Sequence, residues 1–142
     1  FASVELATDH TVRIILASDF LFDVGQAELK PREREKLVRI AEFIRRSPNM
    51  VNVIGHTDNI PMHSAKFATN WELSVGRATA VARFLIEDMR LPANRFYVSG
   101  HGEYQPLVQN TSVSTRAVNR RVEIVITREM PQAVPGTVGD VL

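Results

Sequence analysis

The chain has 142 residues, of which 44% are hydrophobic and 23% are charged, the balance of one ordinary globular domain. Its 17 basic and 16 acidic residues leave a net charge of +1, which gives no general reason to expect nucleic acid or an anionic membrane as a partner. The chain has no cysteine, which excludes disulfides and thiolate chemistry. No run reaches the roughly 18–20 apolar residues of a transmembrane helix. Because the chain begins with Phe1, we expect a fragment whose anchor or export signal lies outside it.

The first half of the chain predicts a β-hairpin followed by a helix. Apolar runs at residues 4–7 and 12–17 flank a Thr-Asp-His-Thr segment of turn composition, which indicates two paired strands. A polar loop at 23–30 leads to Pro31, a residue that the first helical position tolerates. Apolar residues then recur at helical spacing, so residues 31–46 are predicted to form an amphipathic helix with an apolar face of Leu37, Ile40, Ala41 and Ile44.

The second half predicts a strand, a long loop, a second helix and two more strands. A strand at 51–54 precedes a polar loop from 56 to 69. Thr69 and Glu72 have the spacing of a capping box, so we expect a helix over residues 71–89. Further strands are predicted at 96–99 and 121–127, with a short helical turn at 117–119. Residues 129–142, with two prolines and two glycines, are predicted to be a flexible tail.

The order of these elements, β-β-α-β-α-β-β, predicts an α/β sandwich of the α+β kind in one domain over residues 1–128. We expect a small mixed sheet of four to five strands, with the two main helices packed on one face.

Asp58 and Arg77 are the residue pair with the clearest chemical meaning. Asp58 follows the end of a predicted strand, and Arg77 lies about two turns into the next helix, so the two can meet at one sheet edge. A carboxylate and a guanidinium around a cleft would suit a zwitterionic amino-acid head group, because one accepts from its ammonium and the other donates to its carboxylate. An internal Asp58–Arg77 salt bridge, or two separate surface charges, would explain the same spacing.

Several short motifs, taken together, resemble the signature of the OmpA/MotB family. They appear in family order at Gly55-His56-Thr57-Asp58, Asn70, Leu73-Ser74, Arg77-Ala78 and Asn119-Arg120-Arg121-Val122. The resemblance implies an OmpA-like domain that binds the diaminopimelate-containing peptide stem of peptidoglycan without cutting it. It implies ligand-gripping roles for Asp58 and Arg77, helix-start positions beside the ligand for Asn70 and Leu73, and a place on the lining loop for Thr57.

Within this family, Asn59-Ile60-Pro61 and Asn70-Trp71-Glu72-Leu73-Ser74 are most similar to flagellar stator proteins of the MotB type. That similarity implies the periplasmic domain of a protein anchored in the inner membrane, acting as a homodimer. A membrane-embedded stator subunit would be its partner through an N-terminal region that this chain lacks. The long loop at 60–69 departs from the outer-membrane members, so no ligand contacts carry over to it. An outer-membrane wall linker of the Pal or OmpA kind is the alternative.

Other residues give weaker signals, and they predict no enzyme, metal or cofactor. His56, Asp58, His63 and His101 lack the helical histidine spacing of a common zinc protease, and we expect His56 and His101 to bond to loop backbone. Ser74 has no evident base for nucleophilic catalysis. A metal-dependent peptidoglycan hydrolase that uses the histidines is the enzymatic alternative.

Three further residues leave their roles open or limited. Trp71, at a helix start, suits either stacking on a sugar or covering the adjacent core. Arg120 and Arg121 are too few to indicate phosphate or nucleic-acid binding in a nearly neutral chain, and one of them is expected to pack or pair near the last strand.

Overall fold

A computed structural model describes residues 2–132 of the chain. Its strands and helices, including short helical turns of the 3-10 and π types, follow in the order β1 Ala2–Leu6, β2 Val12–Ala17, α1 Ser18–Leu21, a 3-10 turn Pro31–Glu33, α2 Arg34–Arg45, β3 Val51–His56, α3 Asn70–Arg83, a π turn Phe84–Asp88, a 3-10 turn Ala93–Arg95, β4 Phe96–Gly100, α4 Val113–Asn119 and β5 Arg121–Ile126.

The five strands form one mixed sheet in the order β1-β2-β5-β3-β4. All neighbours are antiparallel except β3 and β4, which run parallel. Because side chains alternate along a strand, the register aligns one apolar set on a single face of the three central strands. This set is buried and comprises Ile14, Leu16, Val51, Val53, Val122, Ile124 and Ile126.

Both main helices pack against that apolar face. Leu37, Ala41 and Ile44 of α2 share one continuous core with Ala78 and Val81 of α3. The predicted sandwich of a mixed five-stranded sheet with two helices on one face is therefore confirmed. Within the described residues, no helix is both long and apolar enough to cross a membrane.

Helix α3 lies unusually close to the sheet, which fixes where its first turns stand. A Cβ added at Gly55 would lie 1.9 Å from the carbonyl oxygen of Ser74, so only glycine permits this approach. The helix begins at the predicted capping box, in which the Thr69 hydroxyl accepts from the Trp71 amide at 3.1 Å and Glu72 accepts from the Thr69 amide at 2.9 Å. The capping box and the close contact together fix the N-terminus of α3 beside the end of β3.

The structure differs from the sequence-based boundaries in a few places. The first helix starts as a 3-10 turn at Pro31, and the second ends at Arg83 in α-helical form before a π turn. Helix α4 is longer than the predicted turn at 117–119, because Ser112 and Thr115 cap its start. Helix α1 has no counterpart in the prediction. The boundary at residue 128 stays a prediction, and most of the predicted tail, together with Phe1, lies outside the described residues.

Candidate ligand-binding site

All five residues predicted to contact a ligand line a single cavity of about 370 Å³. It lies beyond the end of β3, under the first two turns of α3. The other lining residues come from helix α1, from the loop after it, from the loop after β3 and from Arg120, which lies between α4 and β5. The full lining is Asp19, Val24, Gly25, Thr57, Asp58, Ile60, Pro61, Met62, Asn70, Leu73, Arg77 and Arg120. A larger hollow of about 790 Å³, lined in part by Arg45, Arg90 and Arg95, contains none of the predicted site residues.

Asp58 is a buried carboxylate, 7% exposed, with two defined partners. Its Oδ1 accepts from the Ile60 amide at 3.0 Å, which folds the loop back around the side chain. Its Oδ2 accepts from Nη1 of Arg120 at 2.7 Å. Among the described residues no ion pair joins Asp58 to Arg77, so an internal salt bridge between these two does not explain their spacing.

Arg120 connects Asp58 to a second carboxylate, Asp19. Nε and Nη2 of Arg120 each donate to one oxygen of Asp19 at 2.8 Å, a bidentate pair. Hydrogen bonding to Asp19 raises the pKa of Arg120, although its burial acts in the opposite direction. The same bond lowers the pKa of Asp19. Both groups are therefore charged at neutral pH.

Arg77 enters the cavity from α3 and is only 4% exposed. Its Nε donates to the carbonyl of Gln26 at 2.8 Å, and its Nη2 donates to the carbonyl of Asp23 at 3.2 Å. Its guanidinium lies 5.1 Å from the ring centroid of Phe22. Burial lowers the pKa of Arg77, yet a guanidinium in a protein stays protonated. The side chain therefore holds the 23–26 loop through Nε and Nη2, and no hydrogen bond from its Nη1 is found within residues 2–132.

The remaining predicted residues shape the cavity. The Asn70 amide nitrogen donates to the carbonyl of Ile60 at 3.0 Å, and the Thr57 hydroxyl donates to the carbonyl of Asp58 at 2.8 Å. Leu73, 5% exposed, supplies apolar lining. These contacts fix the loop after β3 relative to the helix start.

The fold and this arrangement can be compared with known proteins. The family model described as "OmpA family" matches residues 21–120, which include the whole cavity lining except Asp19. The chain belongs to the OmpA family.

Individual relatives of this OmpA-family domain include Motility protein B of Bacillus subtilis, 34% identical over 120 residues. That alignment covers 84% of this chain but 46% of the relative, so the chain spans about half the length of that protein. Among solved structures, the cell wall anchor of the type VI secretion system (T6SS) from Pseudomonas aeruginosa superposes with a TM-score of 0.84 at 35% identity, covering 90% of this chain and 88% of that one. The periplasmic domain of Helicobacter pylori MotB gives a TM-score of 0.80 at 25% identity, covering 99% and 88%.

Sequence reasoning missed Asp19 and Arg120 as site residues of this OmpA-family domain. Arg120 belongs to the Asn119–Val122 motif that carried the resemblance. The motif therefore drew attention to this residue, but it did not indicate that the residue lines the cavity. The expectation that one of the two arginines pairs near the last strand is met by Arg121, which donates to Glu123 at 2.6 Å. Nothing in the sequence around Asp19 points to the cavity.

His56 and His101 make contacts that differ from those expected from the sequence. The rings of His56 and His101 stack with centroids 5.3 Å apart, and neither ring donates to or accepts from loop backbone within residues 2–132. The expected bonding to backbone is therefore wrong. In the same range, no three His, Cys, Asp or Glu side chains gather closely enough to hold a metal ion.

Ser74 is also committed to structure. It is fully buried, its hydroxyl donates to the carbonyl of Trp71 at 2.9 Å, and it accepts from the Gly102 amide at 3.0 Å. The cavity of this OmpA-family domain thus contains two carboxylates and two guanidiniums held by fixed contacts, an arrangement suited to binding a charged ligand.

Proposed function

We propose that this domain binds peptidoglycan without cutting it, by gripping the diaminopimelate head group of the stem peptide. The observation that carries the proposal is the small cavity whose lining includes both Asp58 and Arg77. Diaminopimelate ends in an ammonium and a carboxylate on one carbon. A zwitterion of this kind needs one acceptor and one donor at short range, and it needs little net charge in the site. Asp19, Asp58, Arg77 and Arg120 together carry no net charge.

The geometry of Arg77 supports a specific contact with the ligand carboxylate. Its Nε edge is taken by the 23–26 loop, so a carboxylate would meet the outer Nη1 and Nη2 hydrogens. Asp58 would accept from the ammonium. Arg120 could then weaken its hydrogen bond to Asp58, because it keeps its bidentate pair with Asp19. Arg120 would thus stabilise the empty cavity and compete with the ligand.

The expected affinity is modest. Hydrogen bonds to charged groups contribute roughly 1.5–3 kcal/mol each, and association itself costs at least several kcal/mol. The remainder corresponds to dissociation constants of roughly millimolar to micromolar order for one domain. Such weak sites hold firmly when several copies act on one polymer. This behaviour suits an anchor.

The non-catalytic part of the proposal has its own support. Ser74 is buried and doubly hydrogen-bonded, and burial together with the neighbouring Arg121 lowers the pKa of His56 to about 4. Neither group faces the cavity, whose lining holds no histidine, cysteine or serine.

We further propose that the domain anchors a membrane-tethered flagellar stator protein in the periplasm. The similarity to Motility protein B of Bacillus subtilis and to the periplasmic domain of Helicobacter pylori MotB supports this assignment. In this proposal the domain works as a homodimer, and its membrane-embedded partner subunit is reached through a segment outside this chain.

The second candidate is an outer-membrane linker of the Pal or OmpA kind, which the match to the OmpA family supports. The full-length protein separates the two. A single transmembrane helix ahead of the domain would support the stator, and a lipid-modified cysteine would support an outer-membrane linker.

The direct test is co-sedimentation with purified sacculi, followed by calorimetric titration of two stem peptides. One peptide contains diaminopimelate, and the other contains lysine, which lacks the terminal carboxylate. We expect the domain to sediment with sacculi, to release no muropeptides and to prefer the first peptide by about tenfold or more, the value of one charge-assisted bond. Equal affinity for the two peptides would contradict the proposed grip, and release of muropeptides would support the hydrolase instead.

A further inference from the structure

Trp71 and Tyr104 form an exposed aromatic pair beside the cavity that the proposed stem-peptide grip does not use. Their rings stack with centroids 5.0 Å apart and an interplanar angle of 25°. Trp71 is 47% exposed and Tyr104 63%, and neither ring belongs to the hydrophobic core. The sequence left two roles open for Trp71, and its exposure shows that covering the core is not the one that accounts for its position. Large aromatic surface left in water at a fixed place is a feature of binding sites.

The pair is held by the same backbone that builds the cavity. Gly102, with φ at +58°, brings its backbone against the Trp71 indole, since a Cβ built there would lie 3.6 Å from Cδ2. Its amide donates to Ser74 Oγ at 3.0 Å, and its carbonyl accepts from the Thr57 amide at 2.9 Å. Thr57 lines the cavity. The aromatic pair and the cavity are therefore linked through the backbone of Gly102.

We propose that the Trp71–Tyr104 pair is a second subsite on which a sugar ring of the peptidoglycan glycan strand stacks. This inference rests on the proposed stem-peptide grip. The C–H face of a pyranose matches an aromatic surface, and the indole N–H and phenol O–H supply hydrogen bonds to sugar hydroxyls.

The position of the pair favours a sugar over another occupant. In peptidoglycan, two amino acids and a lactyl group separate diaminopimelate from the sugar, a reach of roughly 10 Å when extended at about 3.3–3.6 Å per residue. Trp71 directly follows Asn70, which lines the cavity. The pair is therefore close enough to the cavity to be within the reach of a sugar whose stem peptide is seated there.

The chain offers a built-in probe, because Trp71 is its single tryptophan. We expect a short N-acetylglucosamine oligomer, free of peptide, to change the tryptophan emission of the wild-type domain. The same change should occur in Asp58→Asn, whose cavity is impaired, and should be lost in Tyr104→Ala. Tyr97→Ala is the matched control, since Tyr97 is an exposed tyrosine on strand β4, outside the aromatic pair.

Calorimetry then measures what the subsite adds. The wild type should bind a disaccharide–stem peptide about five- to tenfold more tightly than the free stem peptide, about 1–1.4 kcal/mol. Trp71→Ala should abolish this difference and leave free stem-peptide affinity within about twofold. The variant should fold, because the capping bond at this position uses the Trp71 backbone amide.

The outcomes separate the two proposals. If the wild type binds both peptides equally and the oligomer leaves its emission unchanged, the sugar subsite is wrong while the stem-peptide grip stands. If neither peptide binds but the oligomer still changes the emission, the grip is wrong and the sugar site stands. If Trp71→Ala weakens both peptides equally, the aromatic pair supports the cavity and is not a separate subsite.

Discussion

Arg120 and Arg121 are neighbours in the chain, yet they serve two charged clusters of different character. Arg120 joins Asp19, Asp58 and Arg77 in the cavity, here called the cavity cluster. Arg121 joins Arg13, His56 and Glu123 on the sheet face opposite the helices, here called the buried network. Each cluster contains two arginines and at least one carboxylate, so composition alone does not separate them.

The two clusters differ in how completely Arg121 and Arg77 use their hydrogen-bond donors. In the buried network, Arg121 donates from Nε to Glu123, from Nη1 to the Asn119 carbonyl and from Nη2 to the Gln105 carbonyl. Glu123 Oε2 also accepts from Arg13 at 2.6 Å. Burial acts to raise the pKa of Glu123, but the bonds from Arg13 and Arg121 outweigh it and lower the pKa.

In the cavity cluster, by contrast, Arg77 has hydrogen-bond donors without a protein partner. Arg77 donates from Nε and from Nη2 to loop carbonyls. Its Nη1 has no protein partner among residues 2–132. A guanidinium whose three nitrogens all donate within the protein resists rearrangement, whereas one with a free donor beside a cavity can bind a ligand. The comparison therefore predicts that changes in the network reduce stability and changes in the cavity cluster reduce binding.

The largest expected effect is on stability, from Glu123→Gln. The change leaves the guanidiniums of Arg13 and Arg121 without their shared carboxylate, and breaking a buried ion pair from one side costs about 3–5 kcal/mol. Denaturant unfolding should show that loss. Glu5→Gln is the control, because Glu5 meets Arg13 only at 3.9 Å and is exposed, so it should cost about 1 kcal/mol or less. A similar, small cost for both variants would remove the distinction between the clusters.

The next effect is a pH dependence that the buried network alone should produce. Burial, and then the charge of Arg121, lowers the pKa of His56 from 6.5 to about 4, and its Nδ1 has no partner in the described residues. Between pH 6.5 and about 4, His56 is protonated in the unfolded chain but neutral in the folded chain. The free energy of unfolding therefore falls as the pH falls. The loss should reach at most about 3 kcal/mol by pH 4.

Urea unfolding at a series of pH values measures this loss. Asp19 and Glu123 have lowered pKa values, so their contributions are lost only below the ordinary carboxylate range, at about pH 4.5 and lower. His56→Gln should flatten the slope between pH 6.5 and 4.5, whereas His63→Gln, at an exposed histidine, should leave it unchanged. An unchanged slope in His56→Gln would assign the pH dependence to another group.

The sequence predicted one half of the cavity cluster and missed the other half for a physical reason. Asp58 and Arg77 are linked by one strand, one loop and one helix, so local rules bring them to the same edge. Asp19 and Arg120 lie 101 positions apart and meet because β2 pairs with β5, where the Ser18 amide donates to the Arg120 carbonyl at 2.9 Å. Periodicity identifies strands, but it does not say which strands become neighbours.

The fold was predictable to a similar degree. The hairpin, the two main helices and the capping box at Thr69 followed from short-range patterns that the structure retains. The start of α4 was missed because its cap pairs Ser112 with Thr115, where the usual pattern has glutamate or glutamine. The burial of Asp58, set by packing between distant segments, was also beyond local pattern.

A third effect belongs to the cavity cluster and comes from Asp58→Asn. The change removes the charge that would meet the ligand ammonium, so stem-peptide affinity should fall by about ten- to a hundredfold. Because Asp58 is buried and bonded to Arg120, some stability should be lost too, about 1–3 kcal/mol. Titration calorimetry and urea unfolding measure both quantities.

The matched control for Asp58→Asn is Glu123→Gln, the same acid-to-amide change in the other cluster. At temperatures where it stays folded, it should bind the stem peptide like the wild type. Loss of binding in this control equal to that of Asp58→Asn would mean that the two clusters are one coupled unit.

The smallest expected effect distinguishes the geometry of a guanidinium from its charge. Arg77→Lys keeps the positive charge but replaces a planar fork with a point charge on a flexible stem. Lysine cannot hold the Gln26 and Asp23 carbonyls and also offer two parallel donors to a carboxylate. Affinity for the diaminopimelate peptide should fall about tenfold, about 1.4 kcal/mol, with a loss of stability of similar size from the 23–26 loop.

Arg121→Lys completes the comparison, because it makes the same change at a saturated arginine. It should lower stability more than Arg77→Lys does, since all three guanidinium nitrogens of Arg121 donate to buried or partly buried acceptors, and it should leave peptide affinity unchanged. If Arg77→Lys binds as well as the wild type, Arg77 acts through charge alone and the fork is not needed. If Arg121→Lys weakens binding instead, the three hydrogen bonds of Arg121 are what hold the cavity in shape, and the division between a stabilising cluster and a binding cluster fails.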